Sequence, residues 1–228
     1  MSYGKSIPEA IGGASAIAVA LLTPFLRRRR TTWGTTLQER AQIWPGDNLV
    51  PEPSWQSTMA ITSASPTPRV WPWIAQIGQG RGGFYSYERL ENLVGCGIEN
   101  ATRILPSLQS IAVGDPIRLH SAAPPLIVAS VEPERSLVLC GNPADSASSG
   151  APSPDVVTSW ALVLEARDSA TRLVSRTRYY HGPGLRSAIL GGPALLEPVS
   201  FVMCRKMLTV IKRLAEGGAA WRSGARRH

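Results

Sequence analysis

The sequence predicts an α+β domain in which an antiparallel sheet packs against one long C-terminal helix. Strand-like segments follow one another directly from Ala112 to Tyr180 and do not alternate with helices, which favours an antiparallel sheet. Apolar residues then recur at helical spacing from Ala188 to Glu216. An antiparallel sheet needs one face covered, and this amphipathic helix is the only predicted element long enough to cover it.

A strand and two short helices are predicted first. Apolar and polar residues alternate in WQSTMAITS (55–63), as is typical of a half-buried strand. A helix is expected to begin near Arg69 and continue to Ile77, after two prolines that favour a helix start. Beyond the glycine-rich loop 78–83, a second short helix is predicted over Phe84–Val94, ended by a glycine.

Five further strands precede the C-terminal helix. They are predicted over Val113–Leu119, Leu126–Val131, Ser136–Leu139, Val156–Ala166 and Thr171–Tyr180. Residues 142–154 are small, polar and rich in breakers, so we expect an exposed hairpin loop or a short disordered excursion there. Glycines and prolines at 191–193 and 198 predict a late start or a kink in the helix, and Gly217-Gly218 is expected to end it.

The N-terminal segment has no charged residue from Ala10 to Leu26, a run of 17 positions, and Arg27 to Arg30 follow at once. Arginines after a run of this length fit a membrane anchor that leaves the next domain in the cytoplasm, which is our prediction. Two alternatives stay open. A cleaved signal peptide would carry its charge before the apolar run. A peripheral or soluble N-terminal helix, or a mispredicted start codon, would leave a soluble cytoplasmic protein.

These features divide the chain into four parts. They are an apolar N-terminal segment with its arginine cluster (1–30), a connector (31–53), the α+β domain (54–217) and a basic disordered tail (218–228). Possible membrane association is assigned to residues 10–30.

The formal net charge of +8 is concentrated at the two ends of the chain. Between Thr31 and Ser200 there are 12 Arg and Lys residues against 14 Asp and Glu residues. A nucleic-acid-binding protein usually spreads cations over its recognition surface, so we predict no nucleic-acid partner. Cys96, Cys140 and Cys204 are far apart and lie near no histidine in sequence, which favours reduced buried thiols over disulfides or a metal site.

Several blocks of the sequence resemble a bacterial branch of the SRPBCC (START-like, polyketide cyclase/dehydrase-type) superfamily. The residues that carry the resemblance are Trp33-Gly34, Pro45-Gly46-Asp47, Leu49-Val50-Pro51, Trp71-Pro72-Trp73-Ile74, Gln76-Ile77-Gly78, Gln79–Tyr87, Leu90-Glu91-Asn92 and Pro198–Lys212. The resemblance is sharp over these blocks and rests on topology alone from 112 to 180. It implies a helix-grip fold, a curved sheet wrapped round the C-terminal helix, with a cavity between them. It implies no single reaction, because the superfamily includes lipid carriers, hormone receptors and cyclases.

The glycine-rich loop also matches a dinucleotide-binding fingerprint, Gly78-x-Gly80-x-x-Gly83. That fingerprint requires a preceding strand, and Pro72 argues against one. We therefore predict no cofactor and interpret the glycines as a tight turn with positive φ between two helices.

Ten residues are predicted to line the ligand site. They are Trp71, Trp73, Arg81, Phe84, Tyr85, Tyr87, Trp160, Tyr179, Met203 and Met207. Ligand pockets are mostly apolar with few polar groups, and flexible methionines suit varied ligands. The same aromatics and methionines would serve equally as plain core. Arg81 is expected to pair with Glu88 or Glu91, or else to clamp an anionic head group.

No combination of residues in the sequence requires the protein to be an enzyme. Glu88 and Glu91 lie one helical turn apart, a spacing that usually marks a solvated face, so we assign no catalytic or metal-binding residue. We predict binding of an apolar small molecule or lipid. The alternatives are a polyketide cyclase/dehydrase-like enzyme and a ligand-free interaction module with a filled core.

Overall fold

The computed structural model describes residues 7–93, 95–120, 123–141, 156–182 and 193–224. The strands are β1 (Trp55–Ser63), β2 (Pro116–Ile117), β3 (Leu126–Glu132), β4 (Ser136–Gly141), β5 (Val156–Arg167) and β6 (Ala170–His181). The helices are α1 (Ile7–Leu22), α2 (Arg27–Thr31), α3 (Leu37–Ala41), α4 (Thr67–Ala75), α5 (Glu88–Leu93) and α6 (Leu196–Gly224), with 3₁₀ turns at Pro24–Leu26, Asp47–Leu49 and Pro106–Leu108.

The described strands form one antiparallel sheet in the order β1-β6-β5-β4-β3-β2. The first strand therefore pairs with the last, and the others follow as a meander. Helix α6 packs on this sheet and contacts β1 most extensively. The predicted fold class, α+β with a helix-grip arrangement, is confirmed.

The sheet face toward α6 forms the main hydrophobic core. Leu162 of β5 and Leu173 of β6 point into it and are almost fully buried. Helix α6 contributes Met207, Leu208 and Ile211, which share one face because of their helical spacing. Truncating a leucine in such a core to alanine costs about 2–5 kcal/mol, so this packing holds α6 firmly on the sheet.

The opposite face of the sheet is covered by residues 31–53, the segment that the sequence analysis treats as a connector. Trp44 inserts into a second, smaller core with Val138, Ala161 and Val174. Successive side chains of a strand point to opposite faces, so these residues alternate with those that face α6. The sheet is thus sandwiched between α6 and the 31–53 segment.

Two buried arginine–carboxylate pairs fasten the 31–53 segment to β6. Arg172 donates to both oxygens of Glu39, from Nε at 2.7 Å and from Nη2 at 2.8 Å. Arg176 donates in the same bidentate manner to Asp47, at 2.9 and 3.1 Å. All four side chains are at least nine-tenths buried. The hydrogen bonds from Arg172 hold the pKa of Glu39 down at about 2, against the effect of burial.

Two glycines in this segment are required by close backbone approach. Gly34 has φ of +73°, and a Cβ there would lie 2.1 Å from the carbonyl oxygen of Ala60. Gly46 has φ of +85°, and its Cβ would lie 2.6 Å from Val138. The Trp33-Gly34 and Pro45-Gly46-Asp47 motifs therefore have a structural role, the seating of the segment on the sheet.

Two predicted elements are shorter in the structure. The predicted helix Phe84–Val94 is reduced to α5, because Gly83 and Tyr85 both have left-handed φ values that a helix cannot contain. The predicted strand Val113–Leu119 is reduced to β2, because Gly114 also has positive φ and belongs to a turn.

Helix α6 is longer at its C-terminus than predicted. It continues through Gly217-Gly218 to Gly224, because glycine lowers helix stability without forbidding the helix. The predicted loop at 142–154 lies outside the described residues. So do residues 188–192 of the predicted C-terminal helix, which the structure describes from residue 193 onward.

Helix α1 packs against α5 and α6 of the same chain. Glu9 forms an ion pair with Lys206. A Cβ at Gly13 would lie 2.7 Å from a ring carbon of Tyr87 and 2.7 Å from a methyl carbon of Leu90. The N-terminal segment is therefore seated on the domain through a small residue.

No single helix among the described residues is both long and apolar enough to cross a bilayer. The pair Pro8–Leu22 and Pro24–Thr31 meets the length and composition criteria together but is bent by 92° at its break. The membrane anchor stays a prediction.

We predict that Arg172→Met and Glu39→Gln each lower the free energy of unfolding by about 3–5 kcal/mol, because each leaves a buried polar partner unpaired. The double variant should lose less than the sum of the two. Denaturant unfolding at neutral pH measures all three. Because the pKa of Glu39 is lowered, its contribution is present above about pH 4.5 and is lost as pH falls toward 2. Strictly additive losses would contradict the assignment.

Candidate functional site

The structure gathers six of the ten predicted site residues in one region between the sheet and α6. Five are buried members of the main core, and Trp160 packs against them with partial exposure. The six are Trp71, Trp73, Phe84, Tyr85, Trp160 and Met207. Trp73 and Tyr85 meet edge to face with ring centroids 5.9 Å apart, and Phe84 lies 6.4 Å from Trp160. We call these six residues the aromatic cluster.

The other predicted residues lie around this cluster or away from it. Tyr179 stacks on Trp55 at 5.5 Å, at the opposite end of β1 from the α4 connection. Tyr87 is turned toward α1 and α6, where the ammonium group of Lys206 lies 5.3 Å from its ring. Met203 contacts Ser86, whose hydroxyl lies 3.4 Å from its sulfur atom. Tyr179 does not share the site with the aromatic cluster.

Two polar groups are built into the interior next to the aromatic cluster. Gln76, fully buried, donates from Nε2 to the hydroxyl of Tyr85 at 2.9 Å and accepts from the Leu105 amide at 2.9 Å. On the sheet side, Ser175 accepts from the indole Nε1 of Trp160 at 3.0 Å and from the thiol of Cys204 at 3.3 Å. These bonds fix the orientation of Tyr85 and Trp160.

Sequence reasoning missed Gln76, Ser175 and Cys204. For Ser175 a signal was present: the turn at 167–170 sets the β5–β6 register, which makes Ser175 a diagonal neighbour of Trp160. For Gln76 no local signal exists, because its partners lie 9 and 29 positions further along the chain.

The glycine-rich loop forms the predicted tight turn. Gly78 and Gly83 pair as an isolated antiparallel bridge, and both have positive φ together with Gly80. The side chain of Asn100 fills the space beside Gly83 and accepts from the Tyr85 amide at 2.6 Å. The glycines and Asn100 together present Tyr85 to the interior.

Arg81 does not pair with Glu88 or Glu91, so that expectation is wrong. Its Nη2 donates to the carbonyl oxygens of Ala75 at 2.9 Å and Leu108 at 3.1 Å. The turn directs the guanidinium toward α4 and the 106–108 turn, and away from α5. Its role as a clamp for an anionic group stays a prediction.

The carboxylates of α5 are buried, and the solvated face predicted for them is wrong. Glu88 is 8% exposed and accepts from the Asn100 amide at 3.1 Å, while Glu91 is 7% exposed and its Oε2 has no partner among the described residues. Burial raises the pKa of Glu91 to about 7, and the neighbouring charge of Glu88 adds to the rise. A short helix packed under α1 buries both positions.

Thiol chemistry and metal binding find little support at this site. Desolvation raises the pKa of the Cys204 thiol to about 11, although the hydrogen bond with Ser175 lowers it. A thiol with such a pKa is a poor nucleophile at neutral pH. Among the described residues no group of three or more His, Cys, Asp or Glu side chains is placed to hold a metal ion.

A small opening among the described residues lies where α1, α6 and the 100–102 loop meet. Its volume is about 20 Å³. It is lined by Glu9, Tyr85, Ser86, Asn100, Ala101, Thr102, Lys206, Val210 and Leu214. Such a volume holds about one water molecule. This opening is much smaller than the cavity between the sheet and α6 that the family resemblance implies, and that cavity stays a prediction.

Comparison with known proteins gives fold-level similarity only. No family model matches the sequence, and no curated protein matches it. Similar solved structures include protein MLL2253 from Mesorhizobium loti (14% identity, 72% of this chain and 98% of that chain, TM-score 0.38). They also include the Polyketide_cyc-like protein Cgl2372 from Corynebacterium glutamicum (12%, 78% and 99%, 0.36) and the hypothetical protein jhp0584 from Helicobacter pylori (10%, 79% and 98%, 0.40). Identities this low assign no family to the chain.

We predict that Glu91→Gln stabilises the protein, and more so at high pH. The pKa of Glu91 is raised when folded, so the wild-type protein loses stability from this group as pH rises from about 4.5 through 7. The glutamine cannot ionise, and its advantage should reach about 3 kcal/mol above pH 8. Urea unfolding across this pH range measures it. Glu132→Gln, at an exposed ion pair, is the matched control, and a pH-independent difference for Glu91→Gln would contradict the prediction.

Proposed function

We propose that the protein binds an apolar small molecule or lipid between the sheet and α6, in space that forms when the interior beside α1 opens. The observation that carries this proposal is the position of the opening. The 20 Å³ cleft reaches Tyr85, which belongs to the aromatic cluster, so the surface and the predicted site meet there.

The residues beside the opening suit an apolar guest. Val210 and Leu214 of α6 line its apolar side, and Ser86 and Asn100 supply a small number of polar atoms. This combination, mostly apolar with a few fixed polar groups, is what small-molecule sites present. Tyr85 and Gln76 could orient a polar end of the ligand further in, since their hydrogen bond lies next to the cleft.

A ligand of ordinary size requires movement, because the opening holds only about one water molecule. Met203 is half-buried and Met207 is fully buried, and both have flexible unbranched side chains that repack at low cost. Helix α1 covers the opening through Glu9, which pairs with Lys206. We infer that loosening this contact admits the ligand. The apparent affinity is then the intrinsic affinity multiplied by the fraction of molecules that are open.

A specific observation favours a second candidate, a ligand-free interaction module. The small volume of the cleft is what a permanently filled core would show. In that case no apolar probe would bind to the protein at all. The enzyme alternative has less support, because Glu91, the carboxyl group with a near-neutral pKa, does not line the cleft.

We predict that Glu9→Gln raises the association rate of a fluorescent fatty-acid analogue several-fold, because it weakens the contact that holds α1 over the opening. Stopped-flow fluorescence with the full chain measures the rate. Glu216→Gln is the matched control, since it removes a different α6 ion pair, with Lys212, whose residues do not line the cleft. Equal rates in all three proteins would contradict access beside α1. Absence of any binding would favour the interaction module.

A further inference from the structure

We propose that α1 and the following residues up to Arg29 form a docking surface that lies in the plane of an anionic lipid membrane. This inference concerns the outer face of α1 and is independent of the ligand site. We call the exposed apolar residues Ile11, Val19, Leu22 and Phe25, together with the cations Arg28 and Arg29, the N-terminal surface.

Packing divides α1 into two faces. Gly13 and Ala20 are buried against the domain, and Glu9 is tied to α6 through Lys206. The opposite face is apolar and open: Leu22 and Phe25 are each 79% exposed. Ile11 and Val19 on the same helix are 61% and 59% exposed. The close contact of Gly13 with the domain sets the rotation of the helix, so the apolar face points outward.

This exposure is unusual for a protein surface. Exposed apolar patches that are contiguous generally mark an interaction site. No charged residue interrupts the N-terminal surface between Ala10 and Leu26, and the only polar side chain on the exposed face of α1 between Ala10 and Leu22 is the small Ser15. While this face stays in water, the protein lacks the stabilisation that burial of these side chains would provide.

Charge identifies the partner as an anionic lipid surface. Arg28 and Arg29 follow Phe25 by three and four positions and are exposed, whereas Arg27 and Arg30 pair with Glu197. Among the ion pairs of the described residues neither Arg28 nor Arg29 takes part. An apolar helix face bordered by free cations matches the boundary between acyl chains and anionic head groups.

The inner contacts of α1 determine how it would lie on the membrane. A helix held along its length to α5 and α6 presents only its outer side, so the side chains of Leu22 and Phe25 enter the interface while the domain rests on it. The chain bends by 92° after Leu22, and the exposed Arg28 and Arg29 lie within four positions of Phe25 in the sequence.

Sedimentation of the full chain with lipid vesicles tests the proposal. We expect binding to phosphatidylcholine vesicles that contain phosphatidylglycerol and weak binding without it. Leu22→Glu with Phe25→Glu should reduce the vesicle affinity about tenfold or more, because the apolar insertion is lost. Arg28→Gln with Arg29→Gln should reduce it about tenfold on anionic vesicles alone. Leu37→Glu with Ile43→Glu is the matched control, as these apolar residues are equally exposed elsewhere.

Four results would overturn the proposal. One is absence of binding to anionic vesicles, and another is equal binding by the Leu22/Phe25 variant and the wild-type chain. The third is retention of the full chain in cell membranes after alkaline carbonate washing, which would show a spanning segment. A dimer in sedimentation velocity that the Leu22/Phe25 variant abolishes would assign the surface to a second copy instead, and would also overturn it.

Discussion

The structure depends on the alternation of side chains along β6, an interior strand of the sheet. Arg172 and Arg176 point to the outer face, where each grips a carboxylate of the 31–53 segment, while Leu173 and Ser175 point to the α6 side. A buried guanidinium is costly unless it is paired, so the two arginines require Glu39 and Asp47. Through this one strand both faces of the sheet are covered, the outer face by the 31–53 segment and the inner face by α6.

This two-sided cover explains why function is expected on the α6 side. The outer face is closed by the two bidentate pairs, by Trp44 and by glycines at positions where a Cβ would clash. The inner face is closed by apolar packing, methionines and one ion pair between α1 and α6, contacts that can separate at lower cost. The same helix α1 also presents an apolar outer face, so movement at a membrane surface and opening of the interior would involve one element. Each of these two proposals can fail without the other.

The sequence was sufficient for the elements whose pattern is local. Strands β5 and β6 agree closely with their predicted bounds, because long alternation and a short turn between them fix both period and register. Part of the aromatic cluster was also predictable, since Trp71 and Trp73 of α4 and Met207 of α6 belong to segments whose helical spacing is visible. Phe84 and Tyr85 follow the glycine-rich loop and lie in no helix.

The features that failed depend on distant partners or on single backbone angles. Arg172 and Glu39 are 133 positions apart, so no window of sequence joins them, and the 31–53 segment reads as a connector. The left-handed φ of Tyr85 shortens the predicted helix, although tyrosine rarely adopts that angle. The volume of the interior is also beyond sequence reasoning, because it depends on how side chains from the whole sheet meet α6.

Native mass spectrometry of the full chain, with organic extraction of whatever co-purifies, tests the central claim most directly. The account predicts a stoichiometric apolar adduct, or one that forms on incubation with a panel of lipids and fatty acids. A chain that stays at its unliganded mass throughout would contradict ligand binding and would identify the filled interior as its permanent state.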